Sequence, residues 1–344
     1  MLIAAFLIVG FTVLAGMVSI VSIDIFNGSI MLLAMIVTLP FAIASHGGFD
    51  AVITTIEQTQ PTHLDIMGGH DMFWVIGIAL PTFLLLMSES SMYQKFSSAD
   101  NESNARRAVM GMFIGVVLVE VLMMLIALVG FAIYADDPRF FMDDGSINRA
   151  MAEEIILRIG FEQLPAIVGS LLLAAGAAII ISTGNTFLMV TSTNVTRDIF
   201  QAFFYRNATP QQVVVLQRIT IVGIGVLAFL MMSQFETILE MALISYTMIG
   251  ASLAPALLAA FFWKRVTRIA GVLSIASGMV TVLTITILNS VFRDDPVSLL
   301  GFSFPMDTDY IALPALVVSV STLVIASLAS PKPVESDWNE FIDD

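Results

Sequence analysis

The sequence predicts an all-α polytopic membrane protein with about nine transmembrane helices, and two observations lead to this fold class. First, 58% of the 344 residues are hydrophobic and 12% are charged, whereas a soluble domain carries roughly 25% charged residues. Second, apolar runs close to the roughly 20 residues that cross a bilayer recur along the whole chain. Cysteine is absent from the sequence, which excludes disulfides and cysteine-ligated metals.

The apolar runs, which are separated by polar, Gly or Pro stretches, place the predicted spans in order. They cover residues 1–16, 18–43, 73–93, 107–135, 165–190, 212–232, 237–262, 269–291 and 309–329. We expect the fifth helix to continue to about Phe200. In the loop 136–164, the pattern INRAMAEEIILRI predicts an amphipathic helix at residues 147–159. Glu120 lies in the middle of the fourth span, so we expect it to face protein rather than lipid.

The charged residues predict the orientation of the spans. Ten of the 14 Lys and Arg residues fall on one side of the alternating spans, and this side is cytoplasmic in a bacterial inner membrane. The N-terminus is therefore expected outside and the C-terminus inside. The net charge of −14 lies in loops and in the C-terminal tail, which disfavours nucleic acid as a partner. His46, His63 and His70 lack the spacing of a zinc motif, and we interpret their loop as solvated.

The segment 174–200 carries many hydroxyl side chains for a membrane span. Ser182, Thr183, Asn185 and Thr186 stand where such helices normally carry Leu or Val. These groups need partners, since an unsatisfied polar group in hydrocarbon costs several kcal/mol. One possible partner is the backbone carbonyl one turn earlier, which Ser and Thr commonly use in membrane helices. Another is a desolvated cation, since hard cations such as Na+ take oxygen ligands.

Intramembrane acids and helix breakers indicate further functional positions. Asp24 is the only acid in the first two spans, and such a carboxylate points to function, although it could be solvated at the cytoplasmic start of its helix. Pro81 interrupts the third span, and broken helices mark binding sites in transporters. Glu89 follows in the same span and is either a site residue or an interfacial acid. In the seventh span, Gly250 and Pro255 serve either a cavity or packing and kinking.

Four segments share their order and spacing with one known family. They are FTVLAGMVSIVSIDIFNG (11–28), YQKFSSADNESNARRA (93–108), AAIIISTGNTFLMVTSTNVTRDIF (177–200) and YTMIGASLAPALLAAFFWKRVTRIAG (246–271). Together they resemble the sodium/solute symporter family, and the resemblance covers essentially the whole chain. It implies a partial inverted-repeat fold of the LeuT type.

The resemblance also implies how the chain is organised. Residues 1–43 would be the last two helices of the first repeat, 44–72 an extracellular loop and 73–262 the second five-helix repeat. Residues 263–330 would form two C-terminal peripheral helices, and 331–344 an acidic cytoplasmic tail. The family's broken first core helix has no counterpart in this mapping, so we expect an N-terminally truncated symporter.

Sodium ligands follow from the resemblance residue by residue. It implies one sodium ion held by the carbonyl of Ile179 and the side-chain oxygens of Ser182 and Thr183. It implies a possible second sodium site formed by Asp24, Ser182, Asn185 and Thr186. The family often has Asp where this chain has Asn185, which removes a charge from the second site.

The implied function is sodium-coupled symport of a small organic solute across the cytoplasmic membrane, with Na+ as the coupling ion and no other cofactor. The family lines its substrate cavity with the third and seventh spans, whose polar candidates here are Thr82, Ser88, Glu89, Ser91, Tyr246 and Ser252. No enzyme activity is expected, because no His or Cys lies in a predicted span. The alternative is a non-transporting structural or regulatory membrane protein derived from a symporter. The expected partners are Na+, the solute and the lipid bilayer.

Overall fold

The computed structural model describes residues 2–14, 17–97, 99–143, 145–232, 235, 237–291, 297–299, 302–304 and 310–333. The α-helices α1 to α13 are, in chain order, Leu2–Leu14, Met17–Ser45, Phe49–Thr59, Met72–Ser88, Ser90–Ser97, Glu102–Ile133, Arg149–Glu153, Ile155–Arg158, Ala166–Asn194, Pro210–Met231, Ile238–Phe262, Arg268–Val291 and Ala312–Ala329. Short 3₁₀ turns lie at Pro61–Leu64 and Pro138–Phe140, and π-helical segments at Ile159–Gln163 and Val195–Phe204. Strands β1, Val297–Leu299, and β2, Phe302–Phe304, pair antiparallel.

A helix occupies each of the predicted spans. Within the described residues, eight helices are long and apolar enough to cross a membrane. The remaining one, α1, has 13 residues, which is shorter than the roughly 20 that a span needs. The protein is thus a nearly all-helical multi-pass membrane protein, as the composition predicted.

Two helical predictions outside the spans are confirmed. The fifth span runs on as a π-helical segment to Phe204, beyond the expected end. The pattern at 147–159 forms α7 and α8. The loop 44–72 also contains a helix that was not predicted, α3, whose Val52 and Ile56 are buried. The spacing of four residues between these two apolar side chains is the sequence pattern that could have predicted this helix.

Two expectations about intramembrane residues were wrong. α4 continues through Pro81, and the break comes instead at Glu89, whose backbone is extended between α4 and α5. α4 tolerates Pro81 because a membrane helix can accommodate the loss of the single backbone N–H that proline lacks. Glu120 is exposed rather than facing protein, because α6 is buried mainly along its C-terminal third, from Ile126 to Ala132.

The chain folds into two compact units. The first comprises Met1–Ile66 and Tyr93–Thr237. In it, α9 packs against α1, α2 and α10. An apolar core joins α2, α3, α6 and the segment after α6, through residues such as Met35, Ile56 and Ile126. Burial there brings α3 onto the end of α6.

The second unit comprises Met67–Met92 and Ile238–Asp344. In it α11 packs against α4, α12 and α13. Ser274 of α12 and Ser319 of α13 form a buried hydroxyl pair with 2.9 Å between their Oγ atoms, a polar contact of the kind that joins membrane helices. Arg265 donates to the carbonyls of Leu328 and Ser330 at the C-terminal end of α13. A cation at this position interacts favourably with the negative end of the helix dipole.

Candidate functional site

The hydroxyl-rich part of α9 contacts α2 within the first unit. The small residues of α9 at 174–178 permit close helix packing, and Ala175 and Ala178 are buried. One turn further on, Ser182 Oγ donates to Asp24 Oδ1 of α2 at 2.5 Å. Asn27 Nδ2, one turn along α2, lies 3.4 Å from the Ala178 carbonyl oxygen. A carboxylate and a hydroxyl from two helices therefore meet inside the apolar spans.

Ser182 and Thr183 do not face the same partner. The Ser182 hydroxyl reaches across to α2, whereas the side chain of Thr183 is exposed. Consecutive side chains on a helix point about 100° apart, which separates the two. The side chain of Ile179, whose carbonyl was the third predicted ligand, packs against the apolar core of the first unit. Of the predicted sodium ligands, Asp24 and Ser182 have side chains in direct contact.

Asn185 has a partner that sequence reasoning missed. Its side chain is 1% exposed, and its Oδ1 lies 2.7 Å from Thr12 Oγ1 of α1. Thr12 is itself fully buried, and its hydroxyl is also 2.7 Å from the Ile8 carbonyl oxygen. Thr186, the remaining predicted ligand, is half-buried. A single Thr in an apolar run carries no signal for a contact with a helix more than 170 residues away.

The substrate candidates of the third predicted span surround the break between α4 and α5 in the second unit. Ser88 is buried and donates to the Leu84 carbonyl at 2.7 Å. Ser91 is buried and donates to Glu89 Oε1. Thr82 is exposed. The break thus places an acid and two hydroxyl groups together at one helix end.

The two candidates of α11 differ in their surroundings. Tyr246 is half-buried, whereas Ser252 is 1% exposed and lies against α12 beside Gly278. Gly250, between them, lies against the backbone of α4: a Cβ there would be 2.7 Å from Leu84 Cβ and 3.0 Å from Leu85 N. Gly250 therefore serves close helix packing, one of the two interpretations of this span.

A separate cavity of about 270 Å³ lies at the end of α6 in the first unit. Its lining is aromatic and aliphatic and includes His63, Phe131, Tyr134 and Phe140. The ring of His63 packs on Phe131 with 4.4 Å between centroids, so the expectation of a solvated histidine loop was wrong for this residue. Burial, together with a hydrogen bond to Glu162, raises the pKa of Tyr134 to about 12.

Relatives of known type match the chain over nearly its whole length. It is 26% identical over 341 residues to the osmoregulated proline transporter OpuE of Bacillus subtilis (strain 168), covering 97% of this chain and 64% of that protein. It is 25% identical over 353 residues to the sodium/proline symporter of Staphylococcus aureus, covering 100% of this chain and 65% of that protein. The chain thus spans about two thirds of the length of these relatives.

A solved structure shares the fold. It is the substrate-bound outward-open state of a Na+-coupled sialic acid symporter, with a TM-score of 0.68 and 15% identity, covering 95% of this chain and 66% of that chain. The predicted partial symporter fold is thereby confirmed. The family model described as the sodium:solute symporter family matches residues 1–278. Because this match covers most of the chain, the protein belongs to the sodium:solute symporter family.

Proposed function

We propose that this chain carries out sodium-coupled symport of a small organic solute across the cytoplasmic membrane. The observation that carries the proposal is the contact between Asp24 and Ser182 across α2 and α9. A carboxylate within an apolar span needs polar or charged partners, and a sodium ion that takes oxygen ligands would be one such partner. Sodium flowing inward would then drive the change between outward-open and inward-open states.

Two ligand sets are proposed, and they share Ser182. The first set is Ile179, Ser182 and Thr183. The second is Asp24, Ser182, Asn185 and Thr186. The geometry supports the second set more strongly, because the Asp24 and Ser182 side chains are already in contact and Thr183 is exposed. All of its oxygens come from α2 and α9.

Proline is the first solute to test, because the matched relatives are described as proline transporters. We propose that the solute contacts the polar group at the α4–α5 break, Ser88, Glu89 and Ser91, with Thr82, Tyr246 and Ser252 as further candidates. A carboxylate and hydroxyl groups suit a ligand that carries a protonated amine, such as the secondary ammonium group of proline.

The proposed activity can be measured in liposomes. The purified protein is reconstituted in sodium-free vesicles, and uptake of radiolabelled proline is followed after dilution into sodium chloride or choline chloride. Uptake that needs sodium and collapses with a sodium ionophore supports symport. Sodium-dependent thermal stabilisation without uptake of proline or other amino acids and sugars would instead favour the non-transporting alternative.

Removing the Ser182 hydroxyl is expected to weaken sodium binding. Ser182→Ala deletes an oxygen that belongs to both proposed sets, and losing a buried polar partner costs about 1–3 kcal/mol, or roughly 5- to 150-fold in the half-saturating sodium concentration. Thr183→Ala is the matched comparison, since it deletes a neighbouring hydroxyl that is exposed. A loss confined to Ser182→Ala favours the Asp24 set, and equal losses favour the Ile179 set. An unchanged response in both variants contradicts both sets.

The proposed orientation places the N-terminus outside and the C-terminus in the cytoplasm. Arg206 and Arg149 lie on opposite predicted sides, and both are exposed. Because the chain contains no Cys, Arg206→Cys and Arg149→Cys each introduce a single thiol. We expect a membrane-impermeant maleimide applied to whole cells to label only the cysteine at 149. Labelling of the cysteine at 206 instead would reverse the orientation.

The repeat boundaries remain part of the same proposal. We assign α1 and α2 to the first repeat, proposed at 1–43, and the five long helices α4, α6, α9, α10 and α11 to the second, proposed at 73–262. The helices extend slightly past these bounds, since α2 ends at Ser45 and α4 begins at Met72. Residues 263–330 would then contain the peripheral helices α12 and α13, and 44–72 an outer loop. The two compact units divide the chain differently, because α4 and α11 belong to the second unit.

A further inference from the structure

The short helix α1 lies directly on the turn of α9 that carries the proposed sodium ligands. A Cβ on Gly184 would be 2.9 Å from Ile8 Cγ2, so the two helices approach closely there. Gly184 stands between Ser182 and Asn185 in the chain. The same face of α1 presents Thr12, whose hydroxyl reaches Asn185. α1 therefore packs on α9 at the proposed ion site.

The Thr12 hydroxyl has one proton and two acceptors. Its Oγ1 is 2.7 Å from Asn185 Oδ1 and 2.7 Å from the Ile8 carbonyl oxygen. A hydroxyl donates one hydrogen bond at a time, so the two acceptors compete for it. The Ile8 carbonyl is a local acceptor of the kind that Thr uses in membrane helices. Thr12 can therefore release Asn185 without being left unsatisfied.

Asn185 needs such a donor when no cation is present. Its side chain is 1% exposed, and a buried acceptor without a partner is unfavourable. We propose that Thr12 sets the sodium affinity of the second site by competing with the cation for Asn185 Oδ1. In the sodium-free state Thr12 satisfies this oxygen. When sodium binds, the Thr12 proton turns to the Ile8 carbonyl and Asn185 Oδ1 becomes a ligand. This inference rests on the proposed sodium site.

The direction in which one substitution changes the sodium affinity tests the proposal. Thr12→Val keeps the shape and removes the donor. The sodium-free protein then leaves the buried Asn185 Oδ1 without its donor, whereas the sodium-bound protein loses only the contact with the Ile8 carbonyl, which is also an acceptor within the backbone of α1. We expect the half-saturating sodium concentration to fall roughly three- to tenfold. The melting temperature in choline should fall, and saturating sodium should restore most of it. Thr12→Ser keeps the hydroxyl and should behave like the wild type.

The measurement is thermal unfolding of the purified chain in detergent, followed by tryptophan fluorescence over a titration with sodium chloride at constant ionic strength with choline. Gly10→Ala is a control on the same helix, since a Cβ there meets nothing within 4 Å. If Thr12→Val fails to fold, Thr12→Cys, whose thiol is a weaker donor, should shift the affinity in the same direction by less.

The outcomes separate this inference from the proposed function. A higher half-saturating concentration in Thr12→Val would make Thr12 a sodium ligand and overturn the competition. An unchanged concentration with equal destabilisation in sodium and choline would leave only a structural role and also overturn it. In either case the wild type still responds to sodium, and the proposed site stands. A wild type that shows no sodium response refutes the proposed site and the inference together. In an Asn185→Ala background, Thr12→Val should no longer change sodium affinity.

Discussion

Asp24→Asn is expected to remove sodium-dependent uptake at ordinary sodium concentrations. The substitution keeps the size of the side chain and its contact with Ser182, but it deletes the charge that would balance a cation in the apolar spans. Interactions with a charged partner contribute about 1.5–3 kcal/mol, which corresponds to roughly 10- to 150-fold in sodium affinity. Uptake and thermal stabilisation as functions of sodium concentration both measure this effect.

The control for Asp24→Asn makes the same chemical change elsewhere in the first unit. Asp50 is exposed in the first turn of α3, so Asp50→Asn should leave the sodium dependence unchanged. If Asp24→Asn keeps the wild-type half-saturating sodium concentration, the carboxylate does not bind sodium and the second ligand set is excluded.

Among the substitutions proposed here, Gly169→Ala is expected to lower the free energy of unfolding the most. A Cβ on Gly169 would lie 2.1 Å from the carbonyl oxygen of Gly160. This atom belongs to the backbone of the π-helical segment before α9, so it cannot move aside as a side-chain end can. Overpacking costs typically 1–3 kcal/mol, and we expect about 3 kcal/mol in the free energy of unfolding because the contact is with backbone. Thermal unfolding in detergent and the yield of folded protein measure it.

A second glycine gives the matched comparison for Gly169→Ala. Gly223 in α10 has nothing within 4 Å of an added Cβ, so Gly223→Ala should be neutral or slightly stabilising through its higher helix propensity. Equal melting temperatures for Gly169→Ala and the wild type would mean that the start of α9 does not pack on Gly160.

Particular residues show how far the sequence could predict the site. Asp24 and Ser182 could be selected because an acid and a hydroxyl are rare in apolar runs, and the structure places them in contact. Thr12 could not be selected, because a lone Thr in a helix usually bonds to its own backbone. The same ambiguity hid the difference between Ser182 and Thr183, which depends on the direction from which α2 packs.

The helix break shows a second limit of the sequence. Pro81 was the natural position for a break, since it lacks an N–H. The observed break at Glu89 follows α4 at the point where its buried face ends with Ser88. α4 stays helical through Pro81, and one turn later Leu84 and Leu85 pack against Gly250 of α11. Local chemistry suggested a break, and tertiary contacts decided its position.

The sequence by itself determined the class of this protein, the order of its helices and its family. Apolar runs of bilayer length predict helices, since a helix satisfies the hydrogen bonds of its backbone groups within its own segment in lipid. Only the tertiary structure decided which polar groups meet: Asp24 with Ser182, and Thr12 with Asn185. The reason is that helices in a bilayer associate through close packing and a few hydrogen bonds. Those contacts depend on rotation and register between distant helices, which a pattern along one chain does not contain.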